Sequence, residues 1–353
     1  MGSDSLANTS QLVMRNAQWL ESNNMLLVGM PADNLARLLL EEKVATRVSG
    51  LTRDYAVYRR LKPSWERNDR LRLEFAPVVS ETKQRFDGVI IFLQKSKPLM
   101  DYWLEMLLPL LTEDGCVWLV GENGEGIKSW RKRLKNTFES VKNLDNARHC
   151  GLLEGASPQQ TKEFDWQKAF TEFEVPVAGR HLTIQSLPGV FSHGRLDVGT
   201  EVLLDTFDKV PAGEVLDFGC GAGVISAALA GLGADNDLTL IDCDALALAS
   251  SERTLKQLGV KRFKTVASDG LSEVQGSFDL IVSNPPFHQG VKTHYAVTEQ
   301  FLAEAARRLN KGGELRIVAN SFLRYEPIIV KAFGHCKTLV TRNGFSVYQA
   351  IRH

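Results

Sequence analysis

The chain has 353 residues, in which 42 Lys and Arg balance 42 Asp and Glu. This length favours two domains over one packed core, and the charge balance excludes a uniformly basic nucleic-acid-binding surface, so any such contact must be a local patch. No run approaches the roughly 18 apolar residues of a membrane span, and residues 1–11 lack the pattern of a signal peptide, so we expect a cytoplasmic protein with no membrane partner. The cysteines form no Cys-x-x-Cys pair, which predicts free thiols and no metal site.

Apolar runs predict the first region of secondary structure. Residues 25–28 read as a strand that ends at Gly29, residues 85–91 as a second strand, residues 102–111 as a helix and residues 113–120 as a third strand. Small polar residues at 154–161 predict a linker. We therefore divide the chain into domains 1–155 and 156–353.

The second region begins with a short helix from residue 164 and a β-hairpin of residues 173–177 and 181–187. From residue 214 onward, strands alternate with helices: 214–217 with 224–232, 238–242 with 245–258, and 278–283 with 298–309, followed by a strand at 314–319. This alternation predicts a parallel, doubly wound α/β sheet.

The two regions repeat one another. Residues 85–91 align with residues 277–283, since both contain Phe-Asp before an apolar run, and the helix and strand that follow align as well. The sequence thus predicts two tandem doubly wound, Rossmann-like α/β domains from an internal duplication. Phe92-Leu93-Gln94-Lys95 stands where the second copy has Asn284-Pro285-Pro286-Phe287. Because the first copy lacks that polar loop, we predict that it is degenerate.

A glycine-rich turn follows the first strand of the second domain. Gly219, Gly221 and Gly223 have the spacing G-x-G-x-G, which differs from the dinucleotide motif G-x-G-x-x-G. Asp217, just before the turn, favours a ligand with an amino group, and Asp242, at the end of the next strand, suits ribose hydroxyls. The alternative is that the glycines only permit tight packing and that Asp242 caps a helix.

This segment resembles motif I of class I S-adenosylmethionine-dependent methyltransferases. The resemblance implies that the three glycines wrap the methionine part of S-adenosylmethionine, that Asp217 lies near its amino group and that Asp242 binds its ribose. Ser268 and Asp269 resemble the motif that contacts adenine, although a simple turn at a strand end explains them equally well. The expected cofactor-binding residues are Asp217, Gly219, Cys220, Gly221, Gly223, Asp242, Cys243, Ser268, Asp269 and Asn284.

Asn284-Pro285-Pro286-Phe287 predicts the catalytic loop. The Asn284 side-chain oxygen and the Pro285 carbonyl could accept both hydrogens of an exocyclic amine and so localise its lone pair, while Phe287 stacks on the extruded base. We expect catalytic roles for Asn284, Pro285 and Phe287, and substrate contacts from Pro286 and Phe287. The loop resembles the N-P-P-[FY] motif of methyltransferases that act on adenine N6, guanine N2 or a glutamine amide, and by itself it does not distinguish these targets.

Further segments, at residues 187–200 and 312–320, resemble the ribosomal RNA guanine-N2 methyltransferases, and residues 120–123 and 147–151 are most similar to the small-subunit members of that family. The resemblance implies methylation of guanine 1207 of 16S ribosomal RNA in the assembled small subunit by a monomeric enzyme. Three alternatives stay open. They are a 23S ribosomal RNA guanine-N2 methyltransferase, a protein-glutamine or DNA-adenine methyltransferase, and a ribosome assembly factor without a catalytic role.

A basic stretch between residues 125 and 142 predicts an RNA-binding face on the first domain. Lys128, Arg131, Lys132 and Arg133 are the candidate phosphate ligands, with Trp130 among them. A solvated helix with no partner would have the same composition. Our hypothesis is that the degenerate domain positions RNA while the second domain catalyses methyl transfer.

Overall fold

The computed structural model describes residues 5–80, 85–159, 162–232, 235–285 and 291–353, with the backbone alone for residues 291–296. These residues form two compact units, Met1–Ala169 and Phe170–His353. Each unit contains a seven-stranded sheet.

Unit 1 alternates strands and helices along most of its length. Its strands are β1 (Ser22–Val28), β2 (Ala45–Thr52), β3 (Leu71–Phe75), β4 (Phe86–Phe92), β5 (Leu111–Glu122), β6 (Phe138–Ala147) and β7 (Cys150–Pro158). Its helices are α1 (Asn8–Arg15), α2 (Leu35–Glu41), α3 (Tyr55–Trp65), α4 (Lys97–Leu107) and α5 (Ile127–Leu134), with short 3-10 turns at Ala17–Trp19, Leu108–Leu110, Asn123–Glu125 and Trp166–Ala169.

Unit 2 opens with a β-hairpin and then follows the same plan. Its strands are β8 (Thr171–Val177), β9 (Arg180–Ser186), β10 (Gly213–Phe218), β11 (Asn236–Asp242), β12 (Phe263–Ala267), β13 (Phe278–Ser283), β14 (Leu309–Asn320), β15 (Lys337–Arg342) and β16 (Phe345–Ile351). Its helices are α6 (Val198–Leu204), α7 (Val224–Gly231), α8 (Ala245–Gln257), α9 (Val291–Arg308) and α10 (Glu326–Phe333).

The two large sheets have identical topology. Their strand orders are β3-β2-β1-β4-β5-β7-β6 and β12-β11-β10-β13-β14-β16-β15. Five neighbouring strands in each sheet are parallel, and the last two pair antiparallel. Helices cover the parallel strands, so the central strands are continuous apolar runs that are buried on both faces. The predicted pair of doubly wound domains is confirmed.

Residues at equivalent positions form the same kinds of hydrogen bond in both units. Asp87 of β4 accepts hydrogen bonds from the backbone N–H groups of residues 23 and 24, and Asp279 of β13 accepts one from Glu214. Asp54 and Asp244 cap helices α3 and α8 respectively. These repeated contacts, together with the shared strand order, are what an internal duplication predicts.

The predicted linker at residues 154–161 is wrong for its first part. Residues 154–158 belong to β7, which pairs with both β5 and β6. The boundary between the units falls at 169/170 instead of 155/156. Small residues there suggested a loop, but Gly155 is small because its Cα faces the Phe138 ring, which a Cβ would approach to within 2.6 Å.

Candidate active site

The glycine-rich turn lies at the carboxyl end of β10, where backbone hydrogen bonds join it to the neighbouring strand. The backbone N–H groups of Gly219 and Cys220 both donate to the carbonyl of Ile241 in β11, at 2.9 and 3.0 Å. Gly219 and Gly221 have φ angles of 70° and 53°, in the left-handed region that favours glycine. A Cβ at Gly221 would meet no atom within 4 Å, so this part of the turn faces open space.

Gly223 has a different local role. It caps α7 with a φ of 79°, and a Cβ there would approach the Ser251 backbone of α8 to 3.0 Å. Gly219, Cys220, Gly221 and Ala222 line the adjoining cavity. The third glycine of the motif thus sets the approach of two helices, while the first two shape the space in front of the sheet.

Asp217 is buried beneath this turn with one carboxylate oxygen lacking a partner. Its Oδ2 accepts hydrogen bonds from the Ser226 backbone and hydroxyl, at 3.2 and 2.7 Å, whereas Oδ1 has none from the described residues. Burial raises the pKa of Asp217 from 3.8 to about 6. An incoming ammonium group would satisfy the orphaned oxygen and favour the ionised carboxylate, which fits the amino group of S-adenosylmethionine.

Asp242 is held in place at the end of β11. Its Oδ2 accepts from the Gly221 backbone at 3.0 Å, and its Oδ1 accepts from the Asp244 backbone at the same distance. Carboxylate oxygens have further lone pairs, so both can still accept hydrogen bonds from hydroxyl groups. The same carboxylate therefore fixes the glycine turn and remains a candidate ribose ligand.

The remaining expected cofactor residues differ in exposure. Cys220 is buried, and burial raises its pKa well above the ordinary value, so it is a neutral thiol beside Ser251. Cys243 is exposed. Ser268 is buried and stabilises its own turn through the Gly270 carbonyl, whereas Asp269 is exposed. Ser268 thus has a structural task, and Asp269 presents a carboxylate at the carboxyl edge of the sheet.

Asn284 follows β13, and its side-chain amide is oriented by two neighbours. Its Nδ2 donates to Asp197 Oδ2 at 2.8 Å and to Thr200 Oγ1 at 2.9 Å. An ionised carboxylate can only accept hydrogen bonds, so the amide must present its NH₂ group to Asp197. The Oδ1 of Asn284 accepts no hydrogen bond from the described residues and remains available to a donor.

Two adjoining cavities meet at this amide. One, of about 40 Å³, is lined by the glycine turn, Asp197, Thr200 and Asn284. The other, of about 170 Å³, is lined by Asp197, Asn284, Pro285 and the end of β14. Phe191 lines both cavities and is 53% exposed. Three residues line both cavities, namely Phe191, Asp197 and Asn284, so the Asn284 amide lies at their junction. Pro286 and Phe287, predicted to bind substrate, lie outside the described residues.

Sequence reasoning missed Asp197, Thr200 and Phe191 as site residues. Asp197 also caps α6 by accepting from the Thr200 backbone at 2.9 Å, so an Asp-x-x-Thr sequence before an apolar run was the available signal. The loop that carries Phe191 is fixed by a hydrogen bond of 3.0 Å between His193 Nδ1 and Ser186 Oγ. The hairpin supports this loop, since Gln185 in β9 donates its backbone N–H to Thr254 in α8.

Unit 1 has the same sheet positions without these polar groups. The strand registers around Val28 and Phe218 match one another. They place Leu27, Thr52 and Phe92 where unit 2 has Asp217, Asp242 and Asn284. A Cβ on Gly29, the one glycine at the equivalent turn, would come within 2.7 Å of the Trp103 indole. An aromatic ring thus covers the turn, and the carboxylates and amide of unit 2 have no counterparts.

The basic stretch of unit 1 is shorter than predicted. Helix α5 ends at Leu134, and Lys142 lies on β6, where it pairs with Glu154. Trp130 is buried in the core, so it is not a stacking surface for RNA. Arg133 pairs with Asp101 and lies over the Trp130 ring.

Three cations of α5 remain exposed without hydrogen bonds or ion pairs to described residues: Lys128, Arg131 and Lys132.

Within the described ranges, no helix is both long and apolar enough to span a membrane. Nor does any group of three or more His, Cys, Asp or Glu side chains lie close enough together to hold a metal ion.

Comparisons with known proteins agree with the duplicated architecture. The family model "Methyltransferase small domain" matches residues 181–349, and "Methyltransferase small domain N-terminal" matches residues 10–173. Ribosomal RNA small subunit methyltransferase C of Pseudomonas fluorescens is 40% identical over 343 residues, covering 97% of this chain and 98% of the relative. The protein of the same name from Colwellia psychrerythraea is 37% identical, covering 98% of each chain.

A solved structure extends the similarity to three dimensions. It is the T. thermophilus 16S rRNA N2 G1207 methyltransferase (RsmC) in complex with AdoMet and guanosine, which matches with a TM-score of 0.81 and 25% identity. The match covers 94% of this chain and 88% of that one. Both matched domains, the full-length relatives and this structure lead to one conclusion: the chain belongs to the ribosomal RNA small subunit methyltransferase C family.

Proposed function

We propose that this protein transfers a methyl group from S-adenosylmethionine to the exocyclic N2 of guanine 1207 of 16S ribosomal RNA, in the assembled small ribosomal subunit. The observation that carries the proposal is the amide of Asn284, whose oxygen is turned outward by Asp197 at the junction of the two cavities. The names of the relatives support the small subunit over the large one, and the T. thermophilus structure, which contains guanosine, supports guanine as the base.

The chemistry requires a poor nucleophile to be presented to a good electrophile. S-adenosylmethionine supplies a methyl group on a sulfonium, which needs no further activation. An exocyclic amine of guanine delocalises its lone pair into the ring, so accepting its hydrogens helps to localise that pair on nitrogen. Asn284 Oδ1 accepts one hydrogen and the Pro285 carbonyl accepts the other. Because an amide is not basic, Asn284 orients and polarises the amine without removing its proton. As N2 forms its bond to the methyl carbon, the C–S bond breaks, and the excess proton on N2 passes to water.

Residues around the amide position the two reactants. Asp217 holds the amino group of the cofactor through its unpartnered oxygen, and Asp242 accepts from the ribose hydroxyls. Phe191, half-exposed between the cavities, stacks on the extruded guanine, a contact of about 1–3 kcal/mol for a base on an aromatic ring. Such stacking offsets part of the few kcal/mol required to unstack a base from RNA.

Unit 1 contributes RNA binding instead of catalysis. Its sheet lacks the carboxylates and amide of the active site, while Lys128, Arg131 and Lys132 on α5 are exposed and have no acidic partner among the residues described. Each cation that neutralises a phosphate releases a condensed counterion, so their contribution depends on salt. Arg133 contributes less free charge to this face, because its guanidinium pairs with Asp101.

The decisive experiment offers assembled small subunits, assembled large subunits and naked 16S RNA to the protein with isotope-labelled S-adenosylmethionine. Digestion and mass spectrometry then identify the modified nucleoside and its position. We expect N2-methylguanosine at position 1207 of the small subunit. Label in 23S RNA, in adenosine or in a protein glutamine would refute the assignment, and the absence of label would leave an assembly role as the remaining function.

A further inference from the structure

The cavity of about 170 Å³ beside Asn284 contains one polar side chain that has no role in the proposed mechanism and no hydrogen-bond partner among the described residues. Four of its lining residues have polar side-chain atoms, namely Asp197, Asn284, Asn320 and Tyr325. Asp197 binds Asn284 and the α6 backbone, and the Tyr325 hydroxyl contacts Thr298 at 3.4 Å. The half-buried amide of Asn320 forms no side-chain hydrogen bond with any residue that the structure describes.

The sheet places Asn320 close enough to Asn284 for both side chains to contact a single base. Strands β13 and β14 are parallel neighbours, and Ser283 pairs with Ile317. Asn284 therefore lies one residue beyond this pair and Asn320 three residues beyond it. Neighbouring strands lie about 4.8 Å apart, and each residue advances about 3.3 Å along a strand. An offset of two residues on adjacent strands therefore separates the two Cα atoms by roughly 8 Å. Two side chains at this separation, lining one cavity, can contact neighbouring atoms on one edge of a single base.

The edge of guanine next to N2 matches a carboxamide. Beyond the exocyclic amine, guanine presents the N1–H donor and then the O6 acceptor. A carboxamide presents an oxygen and an NH₂ group side by side, so it can accept from N1–H and donate to O6 together. An adenine with its N6 amine at Asn284 would present a bare N1 and then a C–H group, so the same amide could form only one hydrogen bond.

We propose that Asn320 is the residue that selects guanine, through hydrogen bonds from N1–H to its Oδ1 and from its Nδ2 to O6. This inference rests on the proposed guanine-N2 activity and adds the residue that reads the rest of the base edge. Enzymes that act on an extruded base read its Watson–Crick edge by such bonds. Asn284 then addresses the reacting amine, and Asn320 addresses the two atoms that distinguish guanine from adenine.

Three ribonucleosides separate these two roles in a binding experiment. Guanosine carries the amine, N1–H and O6; inosine lacks the amine; 2-aminopurine riboside retains the amine but lacks N1–H and O6. Dissociation constants are measured by calorimetry or NMR titration in the presence of S-adenosylhomocysteine, which has no methyl group to transfer. Asn320→Ala should weaken guanosine and inosine binding roughly tenfold, the effect of two neutral hydrogen bonds, and leave 2-aminopurine riboside within twofold of wild type.

Asn284→Ala should give the complementary pattern, with inosine unchanged and the two amine-bearing nucleosides weakened. Asn310→Ala is the matched control, because it makes the same substitution at the opposite end of β14, where Asn310 binds Asp279. Unchanged binding of 2-aminopurine riboside also shows that the Asn320→Ala protein is folded.

The outcomes separate this inference from the proposed function. If Asn320→Ala leaves inosine binding unchanged, or weakens all three nucleosides equally, Asn320 does not read N1 and O6. The guanine-N2 activity would still stand if wild-type protein forms N2-methylguanosine in small subunits. If no N2-methylguanosine forms with wild-type protein, the proposed function fails first and the inference fails with it.

Discussion

Asp197→Asn is the sharpest test of how Asn284 is oriented. Asparagine keeps the size of the side chain and is as good a helix cap as aspartate, so α6 should remain intact. It does not keep the obligatory acceptor. The new amide can donate to Asn284 Oδ1, which would turn the Asn284 NH₂ group toward the substrate amine, where it repels the hydrogens that Oδ1 should accept.

The size of the effect follows from the bond at 2.8 Å between Asp197 and the Asn284 NH₂ group. A hydrogen bond to a charged group contributes about 1.5–3 kcal/mol, against about 0.5–1.5 kcal/mol for a neutral one. Losing the difference of about 1.4 kcal/mol lowers the preference for the productive orientation about tenfold. Thr200 does not restore this preference, because its hydroxyl can both donate and accept.

We expect initial rates of methyl transfer to small subunits to fall in Asp197→Asn, by up to about tenfold, because a weaker preference leaves a larger share of the protein with Asn284 in the unproductive orientation. The Tm should stay within about 3 °C of wild type, because the cap is retained. Asp205→Asn is the matched control, since it removes the same charge from the other end of α6, where Asp205 pairs with Arg342. An initial rate equal to that of wild type, in a folded Asp197→Asn protein, would refute the orienting role of Asp197.

Three further predictions concern activation of the methyl acceptor, binding of the methyl donor and binding of RNA. Asn284→Ala should lower kcat about 100- to 1000-fold, the effect of losing one preorganised polar group, with the calorimetric Kd for S-adenosylmethionine changed only a few-fold; near-normal turnover would contradict the mechanism. Burial raises the pKa of Asp217 to about 6, and only the ionised carboxylate attracts the amino group of the cofactor. The Kd of the wild-type protein for S-adenosylmethionine should therefore rise about tenfold per pH unit below pH 6 and level off above it. Asp217→Asn should bind S-adenosylmethionine more weakly at pH 7 and without this pH dependence. Replacing Lys128, Arg131 and Lys132 by Ala should reduce the salt slope of small-subunit binding by about one per lost phosphate contact, and an unchanged slope would exclude α5 from the RNA interface.

The sequence was informative wherever structure depends on residues close together in the chain. The strand predicted at residues 278–283 is confirmed as β13, and the hairpin at 173–187 agrees with β8 and β9 to within two residues. The alignment of the two halves is confirmed by matching strand registers, including the equivalence of Phe92 with Asn284. Apolar runs and turn residues encode such elements locally, so no distant partner is needed to recognise them.

The prediction failed where a partner from another element decides the outcome. Gly155 and its neighbours resembled a linker, but Phe138 on the adjacent strand requires the glycine. Trp130 resembled part of an RNA-binding face, yet the core buries it. The antiparallel strands β6 and β7 lacked a clear apolar pattern, because β6 buries little of its length and is stabilised largely by pairing with its neighbour.

Residues close together in the chain encode the duplicated α/β fold, the glycine turn and the loop that begins with Asn284, so all three can be read from the sequence. The direction in which the Asn284 amide points depends instead on long-range packing. Asp197 lies 87 residues away in the chain, and only the folded sheet brings its carboxylate against the amide. The same folding leaves one oxygen of Asp217 without a partner and places Asn320 in the cavity with Asn284. Sequence order supplies the functional groups, and long-range packing fixes the direction in which each one can accept or donate a hydrogen bond.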